Sequence, residues 1–200
     1  MLFSAAFVSS CDDGDDDENG NGDKPTSTVT NINETVQGVG SAQIASVKLL
    51  TDGVELATGT FTGGKMQITM PNTVLANLLS SISDIVSGEG DGIKVSNTNV
   101  RGLWEAYIAA FDNESKIGDF SFRNQNGYSA WLVYVNNDVT ITGTDTRKGS
   151  TDVSDWAVSL KTGWNFIYSI ENESANGYTV KHTTSKPNGM SWRFDPPESE

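Results

Sequence analysis

The residues that could carry acid–base chemistry are few in this chain, and none of them forms a recognisable catalytic set. His182 is the sole histidine, so any catalytic triad, histidine metal site or imidazole base must use it. Ser185 follows three residues later, without the Gly-x-Ser-x-Gly pattern of a nucleophile elbow. His182 alternates with Tyr178 and Val180, which predicts a partly buried histidine on a strand. We therefore predict no catalytic residue, no metal site and no cofactor.

Paired carboxylates are the catalytic arrangement that sequence spacing does not exclude. The fold brings glycosidase carboxylates together, whatever their separation along the chain. Two groups are candidates, one flanking a predicted hairpin and one in a predicted loop: Asp112, Glu114 and Asp119, and Asp152 with Asp155. Exposed turn carboxylates explain both groups, because charged side chains in turns are usually solvated. A non-enzymatic protein is therefore favoured, and a carboxylate-dependent hydrolase stays as the alternative.

Tryptophan offers a different chemistry, because a flat aromatic ring on an exposed sheet face can stack on a sugar ring. The chain has five: Trp104, Trp131, Trp156, Trp164 and Trp192. Tryptophan is highly buried on average, so we predict that about three or four of the five pack in the core, Trp164 among them. Trp104 and Trp131 are predicted to line a binding groove. Tyr107 and Tyr134, on the opposite phase of the same two strands, are included in this predicted site.

The strands that must position these side chains can be predicted from the sequence pattern. From about residue 43, apolar and polar residues alternate with a period of two, and turn dipeptides such as Asp52-Gly53 and Gly63-Gly64 separate the segments. The second half holds eight strand candidates, at 103–112, 116–122, 129–135, 138–144, 154–161, 164–171, 178–184 and 190–195. About eleven strands in sequential order predict an all-β fold, mainly an antiparallel β-sandwich, with an up-and-down barrel as the alternative.

One helix is predicted between the strands. Leucine, isoleucine and valine recur at spacings of three and four from Leu75 to Val86, after a cap at Asn72 or Thr73 and before Gly88. This stripe predicts an amphipathic helix that packs over the sheet. The polar segment 87–99 is predicted to be a loop.

The remaining reactive side chain is the sole cysteine, Cys11. It follows an apolar run at residues 2–8 and two serines, which is the layout of a signal peptide and its cleavage site. Residues 12–24 carry seven acids and one base, so they account for −6 of the formal charge of −13. Their composition cannot bury enough apolar surface to fold, which predicts a disordered tether to about residue 31.

Three regions follow from these patterns. Residues 1–10 are predicted to be a signal peptide with a truncated n-region, since no Lys or Arg precedes the apolar run. Residues 11–31 are the lipidated cysteine and acidic tether, and 32–200 form a single β domain.

The segment Val8-Ser9-Ser10-Cys11 resembles the lipobox of bacterial lipoproteins, and the acidic run at 12–20 resembles the surface-export signal of Bacteroidetes lipoproteins. The resemblance implies cleavage before Cys11, a diacylglycerol on its thiol, and an outer-membrane position at the cell surface. Several acyl chains would make this anchor effectively permanent. The segments at 138–143 and 160–165 are similar to parts of small all-β lipoproteins of uncharacterised function.

These features predict a cell-surface, lipid-anchored binding or accessory protein, non-enzymatic, with a glycan or a protein as its partner. Besides the hydrolase, a lipocalin-like carrier of an apolar ligand is an alternative, and it requires a closed barrel with an empty interior. Both the tether and the body are acidic, so nucleic acid is not an expected partner. The lipid on Cys11 is the predicted contact with the membrane.

Overall fold

A computed structural model describes residues 28–87, 92–146, 152–174 and 177–197. The predicted signal peptide, Cys11 and most of the predicted tether lie outside these residues. The described ranges contain a 3-10 turn at Ala76–Leu78, the helix α1 (Ile82–Ser87) and fourteen strands: β1 (Asn31–Gln37), β2 (Ser46–Thr51), β3 (Val54–Thr62), β4 (Lys65–Thr69), β5 (Ser80–Ser81), β6 (Lys94–Val95), β7 (Arg101–Asp112), β8 (Ser115–Arg123), β9 (Tyr128–Val135), β10 (Val139–Thr146), β11 (Val153–Leu160), β12 (Gly163–Ser174), β13 (Gly177–Thr183) and β14 (Ser191–Asp195).

Eight of these strands form a closed barrel, in the order β7, β2, β3, β4, β1, β14, β8 and β9. The pairing of β9 with β7 closes the ring. All neighbours are antiparallel except β1 and β14, which are parallel. The predominantly β fold is thus confirmed, and the predicted sandwich is not. The barrel also departs from a simple up-and-down order, because β1 pairs with β4 instead of β2, and β2 pairs with β7.

Strand β7 allows the barrel to close because it changes partner along its length. Its second half pairs with β8, from Ile108 to Asp112, and its first half pairs with β9. The register with β9 shifts between Leu103 and Ala106. A bulge of this kind bends a strand and leaves part of it unpaired. A groove therefore opens beside residues 104–107, between β7 and the β8–β9 hairpin.

Apolar side chains fill the barrel interior. Val47, Leu49 and Met66 are completely buried there. Trp164 packs against this core at 2% exposure, and its Nε1 donates a hydrogen bond to the Pro71 carbonyl oxygen over 2.9 Å. The predicted burial of Trp164 is confirmed. Three of the five tryptophans are buried, as expected: Trp156, Trp164 and Trp192.

The other strands extend from the barrel as a flanking sheet, which continues from β9 through β12, β13, β11, β10 and β6. The pair β11 and β13 is parallel. Side chains from β9, β10, β11 and β12 meet α1 in a second core cluster, and we call the face of the sheet that carries them its inner face. The cluster consists of Ile82, Val86, Val100, Val133, Val135, Val139, Ile141, Trp156, Val158, Leu160 and Ile167.

The predicted helix is wrong over most of its length. The structure has a 3-10 turn at Ala76–Leu78 and then β5, whose Ser80 pairs with Gly102 of β7, before α1 begins at Ile82. Pairing with β7 satisfies the backbone there, and tertiary contacts of this kind override a weak helical pattern. Only Ile82 and Val86 pack on the sheet as a helical stripe.

No helix in the described part of the chain is long and apolar enough to cross a membrane.

All eight strands predicted in the second half are confirmed, with ends that differ by at most three residues. Strand β1 was not predicted, because only Ile32 and Val36 of its residues are buried and the polar residues between them hide the pattern. The first core contact comes earlier still, since the N–H of Val29 donates to the Trp164 carbonyl oxygen.

Candidate functional site

Three of the four aromatic residues predicted to bind a ligand line a single groove. This aromatic groove has a volume of about 430 Å³ and lies where β7 separates from the β8–β9 hairpin. Tyr107 and Trp131 are the most exposed of its rings, at 36% and 38%, and Trp104 is half-buried. The complete lining is Trp104, Glu105, Ala106, Tyr107, Ile108, Phe120, Phe122, Ala130, Trp131, Leu132, Phe166 and Trp192.

Buried rings form the floor of the aromatic groove. Phe122 stacks on Trp192, with ring centroids 4.9 Å apart and planes 16° from parallel, and Phe166 lies 5.4 Å from Phe122. Phe122 and Trp192 belong to the barrel core. The exposed rings therefore stand over a closely packed base, and a ligand would meet a groove that is already formed.

Tyr134 lies apart from the other predicted residues. It is 6% exposed in the barrel core, edge-on to Trp164 with centroids 5.4 Å apart. Because side chains alternate along a strand, Tyr134 and Trp131 point to opposite faces of β9. The structure thus brings Trp104, Tyr107 and Trp131 together and places Tyr134 behind them.

A chain of ring contacts holds the two groove tryptophans in position. Trp104 meets Trp156 edge-on at 6.4 Å, Trp156 lies 4.0 Å from His182, and His182 lies 5.2 Å from Trp131. His182 is 5% exposed, and its Nδ1 is 2.7 Å from the buried Oγ of Ser169. The expected strand histidine is confirmed, and its contacts with two tryptophans are those of a structural residue.

A second concavity, the acidic cleft, adjoins the aromatic groove. Its volume is about 250 Å³, and it is lined by Trp131, Asp145, Asp152, Val153, Ser154, Glu171, Tyr178, Val180 and His182. Trp131 lines both the groove and the cleft. The cleft occupies the end of the inner face of the flanking sheet where apolar residues give way to polar ones.

Asp145 is the residue of this cleft that the sequence analysis missed. It is 6% exposed, and its Oδ2 has no hydrogen-bond partner among the described residues. A buried polar atom without a partner is uncommon and calls for an explanation. The signal was in the sequence: Val139 and Ile141 occupy the core phase of β10, and Asp145 falls on the same phase.

Carboxylates also set the electrostatics of the cleft. A hydrogen bond to Glu171, with smaller contributions from burial and from the charges of Glu171, Asp152 and Glu173, raises the pKa of Tyr178 to about 12. Glu171 is thus the main cause of the raised pKa of Tyr178, and the charges of the neighbouring carboxylates act in the same direction. Among the residues that the structure describes, no three His, Cys, Asp or Glu side chains are arranged to hold a metal ion.

The remaining candidate carboxylates are dispersed. Asp112, Glu114 and Asp119 flank the β7–β8 turn and line neither concavity, and Asp155 accepts a hydrogen bond from Thr144 Oγ1 over 3.0 Å. Only Asp152 of the five reaches the acidic cleft. The structure therefore does not bring these five carboxylates together in either concavity.

Trp104 adds a second unpartnered polar group. Its Nε1 is buried without an acceptor among the described residues, and the groove it lines is otherwise apolar in its floor. The site thus combines stacking surfaces with an unused N–H donor at Trp104 and an unused carboxylate acceptor at Asp145.

Comparison of the chain with protein-family models, curated proteins and solved structures finds no match.

Proposed function

We propose that this protein is a non-enzymatic, lipid-anchored binding protein of the cell surface, and that its aromatic groove binds a glycan. The observation that carries the proposal is the convergence of Trp104, Tyr107 and Trp131 on one open groove. Exposed aromatic rings over a closely packed floor offer flat apolar faces to sugar rings, while the exposed Glu105 carboxylate offers hydrogen bonds to hydroxyl groups.

The filled barrel supports a site on the outside of the molecule. A lipocalin-like carrier needs an empty interior, whereas Val47, Leu49 and Met66 fill this one. A protein partner remains the other class of ligand for the same groove, and aromatic anchors are also typical of protein interfaces. A groove of about 430 Å³ suits a few sugar rings better than the broad surface that a protein partner covers.

Binding of neutral hexasaccharides tests the proposal. Cellohexaose, xylohexaose and chitohexaose would be titrated calorimetrically against the wild type, Trp131→Ala and Tyr107→Ala. We expect at least one of the three to bind, and each variant to weaken that binding about tenfold or more, because truncated aromatic anchors typically cost that much.

Phe111→Ala is the matched control, since Phe111 is a half-buried aromatic on the same strand that does not line the groove. It should bind like the wild type. Absence of binding to all three sugars, or equal losses in Phe111→Ala, would count against a glycan groove. Accumulation of shorter oligosaccharides during the titration would instead support the hydrolase.

The lipid anchor is a separate part of the proposal and rests on the lipobox resemblance at Cys11. Cys11→Ala should move the full-length protein from the membrane fraction to the soluble fraction, because acylation supplies the expected membrane affinity. Cys11→Ala that still partitions with membranes would refute the anchor while leaving the groove proposal intact.

A further inference from the structure

We propose that the acidic cleft binds a protonated amino group of the glycan held in the aromatic groove, so that the preferred ligand class is a cationic, amino-sugar glycan. The inference rests on the proposed glycan function, because the amine would reach the cleft from a sugar stacked on Trp131. The acidic cleft would give the protein a preference for positively charged glycans that the aromatic groove alone does not provide.

Trp131 connects the two sites physically. Its ring lines the aromatic groove and the acidic cleft, and it is 38% exposed. A sugar that lies on this ring therefore has one edge next to the carboxylates of the cleft. Substituents on that edge, and not the ring itself, would experience the negative charge.

The charge of the cleft is one-sided. Asp145, Asp152 and Glu171 line it, and no Lys or Arg stands among its lining residues within the described chain. Lys181 is adjacent to His182 in sequence but exposed, and strand alternation directs it to the other face of β13. Among the described lining residues, a cation entering the cleft would therefore meet acidic side chains and no basic ones.

Asp145 supplies the observation that separates this cleft from an ordinary acidic surface. The side chain is 94% buried, and Oδ2 has no partner among the described residues, whereas exposed carboxylates are satisfied by water. Leaving a buried carboxylate oxygen unpaired costs free energy, and a charged N–H donor from a ligand would recover it. A neutral hydroxyl would recover less.

The other lining residues favour an organic ammonium over a metal ion. Trp131 and Tyr178 border the cleft with aromatic rings, and such rings attract ammonium groups through their faces. The carboxylates, in contrast, do not form a metal-ligand set within the described residues. An amine on a sugar combines the cation with the flat ring that Trp131 can hold.

The test compares two ligands that differ in their amines: chitohexaose, which is neutral, and its fully deacetylated form, which is cationic. We expect the cationic form to bind the wild type about tenfold more tightly at low salt, as one close ion pair in partly screened surroundings provides. High salt should shrink this preference, because exposed charges are screened. Asp145→Asn should abolish the preference and leave chitohexaose binding unchanged.

Asp155→Asn is the matched control, because it removes the same charge from a neighbouring strand outside the cleft. It should keep the full preference. If Asp145→Asn melts at a lower temperature than the wild type, Glu171→Gln serves as a second cleft variant. Glu171→Gln should also reduce the preference for the cationic form.

Equal affinities of the two forms for the wild type would overturn the inference and leave the glycan groove standing. Equal loss of preference in Asp145→Asn and Asp155→Asn would also overturn it, since it would reveal a general charge effect. Failure of both forms and of the neutral hexasaccharides to bind would instead overturn the glycan function itself.

Discussion

The pair of strands β9 and β12 contributes both to the barrel core and to the surface of the aromatic groove and acidic cleft, with opposite results. On the β9–β12 pair, Trp164 lies opposite Tyr134 and both face the barrel core, while Trp131 lies opposite Ile167 on the other face. Trp164 is 2% exposed and Trp131 is 38% exposed. Val133 and Ile167 share the face of Trp131 and are completely buried in the second core cluster. The comparison therefore teaches that the position of a residue along its strand and face, and not its type, decides whether a tryptophan packs or can bind.

The two regions also differ in the polar groups that they bury. Among the described barrel strands only Thr51 is a buried polar residue, whereas the inner face of the flanking sheet carries Ser169, His182 and Asp145. Buried polar groups lower stability unless they find partners. The flanking sheet is therefore the region in which stability and function are expected to compete.

The largest difference between the regions should appear when each tryptophan is truncated. Trp164→Ala removes a buried ring and its hydrogen bond to Pro71, so we expect a loss of about 3–5 kcal/mol in the free energy of unfolding. Trp131→Ala removes a partly solvated ring and should cost about 1–2 kcal/mol. Denaturant unfolding of both variants measures the difference.

Trp164→Phe serves as the control, because it keeps most of the apolar contact and should recover a large part of the loss. The comparison fails if Trp131→Ala destabilises the protein as much as Trp164→Ala, since Trp131 would then be a core residue.

A smaller effect is expected from the polar core of the flanking sheet. Ser169→Ala takes away the hydroxyl that lies 2.7 Å from His182 Nδ1, and losing a partner of a buried polar group costs about 1–3 kcal/mol. Ser129→Ala is the matched control, because Ser129 is half-buried and pairs with Ser169 in the register of β9 and β12. Thermal melts showing equal losses for the two variants would contradict a special role of the serine–histidine pair.

The smallest expected effect concerns the ionisation of two tyrosines, one in each region, whose pKa values are raised by different causes. Burial raises the pKa of Tyr168, in the barrel core, to about 12, whereas a hydrogen bond to Glu171 is the main cause that raises the pKa of Tyr178 to about 12. Glu171→Gln should therefore lower the pKa of Tyr178 toward its ordinary value near 10 and leave that of Tyr168 unchanged.

Both pKa values are raised in the folded state, so folding favours the protonated phenols. Their contribution to stability is complete below the ordinary tyrosine pKa and is lost as the pH rises through about 12. Phenolate absorbance measured against pH, with Tyr168→Phe and Tyr178→Phe to assign the steps, provides the test. A titration curve that Glu171→Gln leaves unchanged would show that the charge of the cleft does not act on Tyr178.

The sequence determined the strands of the second half and the faces of most of their side chains. Alternation of Trp164, Phe166 and Tyr168 was enough to assign them to one core, because a strand has a period of two. The presence of large rings on both faces of two strands also selected four residues for a groove: Trp104, Tyr107 and Trp131 line it, whereas Tyr134 lies in the barrel core. These local patterns depend only on neighbouring residues.

Tertiary structure decided how the strands close and what the faces meet. The bulge between Leu103 and Ala106, the parallel pairing of β1 with β14, and the replacement of a helix by β5 all depend on partners distant in the chain. The acidic cleft likewise joins Asp145, Glu171 and Tyr178 from three strands. Alternation gives each side chain a face, but only the pairing of β9 with β12, β12 with β13 and β13 with β11 brings those side chains together around Trp131, because this pairing joins strands that are distant in the chain.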